Sequence, residues 1–136
     1  MSDVASVDYP RLNVLVVEDQ DMVREIVVAI LRALGCEGIR AVADGDAALA
    51  MVLDDAPHLI LCDINMQPTD GFQFVEQLKS RGFTGDKRIP TIFLTAHSTA
   101  DMVKRAKQAG VDAYIVKPVK RAVLEERIRQ VLHPAG

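Results

Sequence analysis

This sequence predicts a doubly wound α/β domain with a five-stranded parallel sheet and five helices, and three observations carry that prediction. Short runs rich in Val, Ile and Leu recur along the chain: Val14-Leu15-Val16-Val17, Leu59-Ile60-Leu61-Cys62, Ile92-Phe93-Leu94 and Tyr114-Ile115-Val116. Runs of this length read as strands buried on both faces, the kind found in parallel sheets covered by helices. Amphipathic helical patterns separate them, so strand and helix alternate five times through short, right-handed connections. Each run also ends on a different reactive side chain: Glu18-Asp19, Asp63, Thr95 and Lys117. A parallel sheet brings every carboxyl end to one edge, so residues scattered over the sequence can meet there.

Residues 1–10 lack periodicity, and Tyr9-Pro10 closes them as an expected flexible tail before a domain over 11–133. The first strand is read over Leu12 to Val17. A helix from about Asp21 to Leu34 follows, with Met22, Val23, Ile26, Val27, Ile30, Leu31 and Leu34 at helical spacing and Gly35 as its stop. Its charged residues Arg24, Glu25 and Arg32 fall elsewhere. Ile39 to Ala43 makes a short strand carrying Arg40, which suits a sheet edge, and Asp46 to Leu53 the second helix. The third strand, Leu59 to Cys62, ends on Asp63 and a loop through Gln67-Pro68-Thr69-Asp70-Gly71. Phe74, Val75 and Leu78 mark the third helix, closed before Gly82. Pro90 introduces the fourth strand, after which Ser98-Thr99-Ala100-Asp101 resembles a capping box with Asp in place of Glu. That fourth helix turns Met102, Val103, Ala106 and Ala109 inward and stops at Gly110. After Ala113 to Val116, Pro118 suits an early position of the last helix, whose stripe is Val119, Val123, Leu124, Ile128 and Val131.

Composition narrows the class. A chain of 136 residues suits one domain with a single core. No apolar run is long enough to span a bilayer, and the N-terminus has an acid where a signal peptide needs positive charge. A cytoplasmic protein with no membrane association is expected. Cys36 and Cys62 read as small buried apolar residues in a reducing compartment. Charge is uneven, with twelve acids and four bases up to Pro68 but seven acids and twelve bases after it. The bases Lys104, Arg105, Lys107, Lys120, Arg121, Arg127 and Arg129 fall on outward faces of the two late helices. They suit a solvated or partner-docking face, with no direct nucleic-acid contact.

The strand-end residues carry the chemistry. Glu18, Asp19 and Asp63 would repel one another if ionised at close range, and a hard divalent cation such as Mg²⁺ relieves that, with a backbone carbonyl just past Asp63 as a further ligand. A lysine in the same cluster is redundant for holding a metal and makes sense if a phosphoryl group arrives. In transfer that group spreads charge over three oxygens, which the metal, Lys117 and the Thr95 hydroxyl can take. Asp63 is then the nucleophile and phosphoacceptor, giving an acyl phosphate. Any one of these residues alone would read as a cap, a β-former or a solvated lysine; the ordered set favours function.

From Leu12 to Leu132 the sequence resembles the receiver domains of bacterial response regulators, the single-domain chemotaxis type in particular. The resemblance rests on Glu18-Asp19, Asp63, Thr95-Ala96, Tyr114 and Lys117-Pro118, in order and each after its own strand. It implies a flavodoxin-like three-layer sandwich with strand order 2-1-3-4-5. It further implies phosphoryl transfer to Asp63 from a phosphohistidine of a histidine kinase or histidine phosphotransfer protein, in a two-component system. Glu18 and Asp19 form the metal pair and Asn65 gives its backbone carbonyl. Thr95 moves toward the new phosphate, the ring of Tyr114 turns inward, and the Lys117-Pro118 bond is cis. The signal passes to a downstream protein through the surface of the fourth helix, fifth strand and fifth helix. Asn65 and His97 occupy the positions that tune self-dephosphorylation.

The loop departs from the usual Met-Pro-x-Met-Asp-Gly by reading Met66-Gln67-Pro68-Thr69-Asp70-Gly71. The reading is a stand-alone signalling phosphoacceptor, not an enzyme with a separate substrate. An aspartyl-nucleophile phosphohydrolase would carry a second Asp where Asn65 stands. A flavin carrier would need a hydroxyl-rich loop where Glu18-Asp19 stand. A receiver excised from a hybrid kinase or DNA-binding regulator would look the same as this chain.

Overall fold

The computed structural model describes residues 7–133. Five strands, β1 (Asn13–Val17), β2 (Gly38–Val42), β3 (Leu59–Asp63), β4 (Thr91–Thr95) and β5 (Ala113–Val116), form one parallel sheet in the order β2-β1-β3-β4-β5. Between and after them run α1 (Asp21–Ala33), α2 (Gly45–Asp54), α3 (Gly71–Ser80), α4 (Ala100–Gln108) and α5 (Arg121–Leu132). The expected fold class and strand order are the observed ones.

Two cores result from the strand period of two. Leu15, Val17, Ile60, Cys62 and Phe93 point to the side covered by α2, α3 and α4. Val14, Val16, Leu59, Leu61, Ile92, Leu94 and Ile115 point to the side covered by α1 and α5. That is why the strands are apolar throughout instead of alternating. β2 lies at an edge, as expected. Its Arg40 donates to the carbonyls of Met51 and Asp55, at 3.2 and 2.7 Å, and so closes the C-terminal end of α2. Cys36 and Cys62 are both buried free thiols.

Several local expectations are corrected. Val7 and Tyr9 pack on the α1–α5 core and Tyr9–Arg11 forms a 3-10 turn, while 1–6 lie outside the described residues. On α1, Met22 and Ile26 are 73% and 47% exposed, although their spacing joins the buried stripe of Val27 and Leu31. The apolar arc of α1 is wider than the surface α5 and the sheet can cover. The cap of α4 is Thr99, whose Oγ1 accepts from the Met102 N–H at 3.1 Å, so Ser98 and Asp101 form no box. A true capping box closes α3 instead: Gln73 N–H donates to Asp70 Oδ1 at 2.8 Å and Asp70 N–H to Gln73 Oε1 at 2.9 Å. Pro118 precedes α5, which begins three residues later at Arg121. It therefore lies in the turn after β5 and not in the first turn of the helix. The Lys117-Pro118 bond is cis, as the resemblance implied, and Gln67-Pro68 is cis as well.

Candidate functional site

The strand order reverses between β2-β1 and β3-β4-β5, and ligand sites of such sheets lie beyond the carboxyl ends at that point. Glu18 is the residue after β1 and extends its pairing, its N–H donating to the Val42 carbonyl at 3.0 Å. Asp63 is the last residue of β3, opposite Leu94 of β4. Lys117 follows β5 and donates its N–H to the Thr95 carbonyl at 2.8 Å. Glu18 and Asp63 are buried, at 0% and 3% exposure, while Asp19 faces solvent.

Lys117 Nζ bridges the two buried acids, 2.9 Å from Glu18 Oε1 and 3.3 Å from Asp63 Oδ1. The Glu18 contact is an ion pair without the alignment of a good hydrogen bond. Glu18 Oε2 accepts from the Gln20 N–H at 3.2 Å, and Asp63 Oδ1 from the Asn65 N–H at 3.3 Å. Oδ2 of Asp63 enters none of these contacts. Burial raises the Asp63 carboxyl to about 7, with the charge of Glu18 adding to the rise and Lys117 opposing it. Burial by itself would lower the Lys117 ammonium, but its contact with Glu18 and the charges of Asp63 and Glu18 outweigh that and raise it.

Oxygen atoms of Glu18, Asp19 and Asp63 lie within 4.8 Å of one another. Three carboxylates against one ammonium leave an excess of negative charge that Lys117 does not neutralise. The donors are all oxygen, and the edge is open at Asp19. This set fits a hard divalent cation of the Mg²⁺ type, which prefers oxygen and keeps several waters.

The remaining predicted side chains enter none of these contacts. The Thr95 hydroxyl, buried, donates to the His97 carbonyl at 2.7 Å and accepts from the His97 N–H at 3.3 Å, so in this conformation it serves its own loop. Tyr114 is half-buried against the α4 side, and its hydroxyl accepts from Ser98 Oγ at 3.5 Å. Asn65 and His97 are exposed on the loops after β3 and β4.

Two local features were missed as parts of the site. Gly71 opens α3 against the loop after β3: a Cβ there would stand 2.8 Å from the Asp63 carbonyl oxygen and 3.0 Å from Ile64 Cα. The Asp70-Gly71 pair was visible, but not this close approach. Thr69, in the departing stretch of the loop, is buried and donates to Asp46 Oδ1 of α2 at 2.9 Å, seated against Gly45. No spacing in the sequence announces that contact.

Residues 14–129 match the family model described as the response regulator receiver domain. The chain belongs to that family. This receiver domain is 35% identical over 120 residues to the phosphate regulon transcriptional regulatory protein PhoB of Escherichia coli strain K12, covering 88% of the chain and 51% of that protein. It thus spans about half the length of the curated relatives it matches. Among solved structures it superposes on the chemotaxis protein CheY4 of Vibrio cholerae with a TM-score of 0.80 at 28% identity, covering 88% of this chain and 98% of that one. A putative response regulator of Chloroflexus aurantiacus gives 0.81 at 28% identity, covering 89% and 97%. The two-component signalling class and the five-stranded fold expected of the receiver are therefore both observed. No helix of the described residues is long and apolar enough to cross a membrane.

Proposed function

We propose that this receiver acts as a stand-alone cytoplasmic switch that takes a phosphoryl group onto Asp63 from a phosphohistidine of a kinase or phosphotransfer protein. The observation that carries the reading is the buried Asp63, whose Oδ1 is held by Lys117 and Asn65 while Oδ2 makes no ion pair with a cation among the described residues. Oδ2 attacks phosphorus in line, the P–N bond to the donor imidazole breaks with its electron pair going to nitrogen, and an acyl phosphate forms. Asp19, Asp63 and the Asn65 carbonyl, backed by Glu18, would hold Mg²⁺, which supplies charge neutralisation at the phosphoryl oxygens. Lys117 neutralises the opposite side, and its ion pair with Asp63 is exchanged for one with the phosphoryl group.

Thr95 then leaves the His97 loop for the phosphate, and Tyr114 follows into the space behind it. That pair biases a two-state equilibrium whose output is the α4–β5–α5 surface. A cavity of about 440 Å³ there is lined by Val103, Lys107, Tyr114 and Arg127 among others, an apolar floor whose rim carries Lys107 and Arg127 beside Asp112, itself paired with Arg88. An acidic protein surface suits it, and no direct nucleic-acid contact is proposed. The exposed Met22 and Ile26 beside the acid corner offer an apolar landing for the phosphodonor. Asn65 and His97 set the lifetime of the phosphoprotein by orienting or excluding the attacking water. Turnover is confined to the protein's own phosphorylation and slow dephosphorylation. A second reading, the receiver part of a longer regulator, is favoured by the length of the curated relatives; the mass of the protein in its own cells separates the two.

The test is intact mass after incubation with acetyl phosphate, with and without Mg²⁺. One Mg²⁺-dependent phosphoryl adduct is expected on the native chain and none on Asp63→Asn; an adduct on that variant overturns the assignment. Replacing Asn65 and His97 together changes the decay rate of the adduct, and an unchanged rate removes their tuning role.

A further inference from the structure

Arg24 lies on α1, one turn in from the acid corner, and has no part in the site described above. Its Nη1 donates to the backbone carbonyl of Glu18 at 2.9 Å and its Nη2 to Asp21 Oδ1 at 2.6 Å. The side chain is only 22% exposed, so the guanidinium is held against the β1–α1 turn instead of reaching into water.

That carbonyl bond completes the anchoring of Glu18. Its N–H is taken by Val42, its Oε2 by the Gln20 N–H, its Oε1 by Lys117 and its carbonyl by Arg24. Asp19 is the opposite case: it is exposed, and its carboxylate makes no hydrogen bond or ion pair among the described residues. Nothing on its own side chain aims it. The Glu18 carbonyl and the Asp19 N–H belong to one planar peptide unit, so fixing the oxygen fixes the axis about which Asp19 begins. The direction of the Asp19 Cα–Cβ bond toward Glu18 and Asp63 therefore passes through the Arg24 contact.

We infer that Arg24 is a positioning residue for the divalent cation, clamping the Glu18–Asp19 peptide plane so that the Asp19 carboxylate faces the cation position. This rests on the Mg²⁺ reading given above. The guanidinium does the work through geometry: its charge is already compensated by Asp21, and it stands on the backbone side of the corner. An arginine suits the task because a rigid fork reaches two acceptors at once, which a lysine ammonium on a flexible stem does with less definition. Groups that orient metal ligands in this way typically alter metal affinity about 10- to 100-fold when removed.

Calorimetric titration of MgCl₂ into the full chain tests this, alongside acetyl phosphate labelling over a range of Mg²⁺ concentrations. Arg24→Gln is expected to weaken Mg²⁺ binding about tenfold, and Arg24→Lys to fall between it and the native chain. Asp21→Asn removes the outer ion pair but keeps the bond to the Glu18 carbonyl, and binds within about twofold of native, as exposed pairs are weak. In labelling, the half-saturating Mg²⁺ concentration rises for Arg24→Gln while the rate at saturation returns to that of the native chain. Native-like affinity in a folded Arg24→Gln overturns the proposal. So does a lowered ceiling at unchanged half-saturation, which would place Arg24 on the phosphodonor instead. If circular dichroism shows Arg24→Gln unfolded, Arg24→Lys decides: weakened binding supports the clamp and native affinity overturns it. A native chain that binds no Mg²⁺ removes the cation reading itself, an outcome distinct from equal binding by native and variant.

Discussion

α3 and α4 cover the same face of the sheet but are held very differently. α3 buries Gly71, Phe72, Phe74, Val75 and Leu78, is closed by a reciprocal capping box, and starts in van der Waals contact with the backbone of Asp63. α4 fully buries only Ala106, is capped by one hydroxyl, and leans on α3 through Arg105, whose guanidinium carbon lies 4.0 Å from the centre of the Phe72 ring. The Asp63 carboxylate thus belongs to the firmly packed side, and the Thr95–His97 loop and Tyr114 to the lightly packed one. Elements with few buried contacts open at lower free energy, so α4 and the loop before it are expected to open more readily than α3.

The largest expected effect breaks the firm side through its charge. Asp63 is raised to about 7 in the folded chain, above the ordinary carboxylate value. Between the two values the folded state holds the proton that the unfolded chain has released, so stability falls as pH rises through that window. The loss is as much as ~4 kcal/mol over its full width. Urea unfolding without Mg²⁺ at a series of pH values, native against Asp63→Asn, reads it: the variant gains relative stability from about pH 4 to pH 7 and no further above. A constant difference would mean that Asp63 ionises normally.

A smaller break is steric. Gly71→Ala places a methyl group 2.8 Å from the Asp63 carbonyl oxygen, where backbone rather than a flexible side-chain tip must give way. A loss of about 2 kcal/mol is expected, with slower acetyl phosphate labelling, because the loop after β3 moves with the helix. Native stability in that variant would show the junction to be softer than its packing implies. The smallest effect sharpens the contrast from the other side. Thr99→Ala removes the cap of α4 and costs about 1 kcal/mol. Hydrogen exchange should show it as faster exchange confined to α4 and the loop before it; a rise spread evenly over α3 and α4 would erase the distinction.

What the sequence made legible follows the same division. Strands β1, β3 and β4 were readable because burial on both faces leaves an unbroken apolar run, and the acid cluster because the first two of those runs end abruptly on Glu18-Asp19 and Asp63. Met22 and Ile26 were misplaced because periodicity gives an angle around a helix, not the width of the surface available to cover it. Ser98 and Thr99 are adjacent hydroxyls, and the path of the loop after β4 chooses between them. Pro118 was misread because the length of the turn after β5 is a property of the chain's path there. Arg24 and Arg40 both act on backbone carbonyls, which every residue possesses, so no residue type marks their partners.

The chain has no tryptophan and only two tyrosines, Tyr9 and Tyr114. Tyr9 packs on the α1–α5 core, and Tyr114 stands against α4 beside Ser98. The protein is therefore almost free of intrinsic emission except at these two points, one on each side of the sheet. With Tyr9 replaced by phenylalanine, ultraviolet fluorescence of the whole molecule becomes the signal of a single ring at the lightly held edge, and a turn of that ring can be followed in real time without any attached dye.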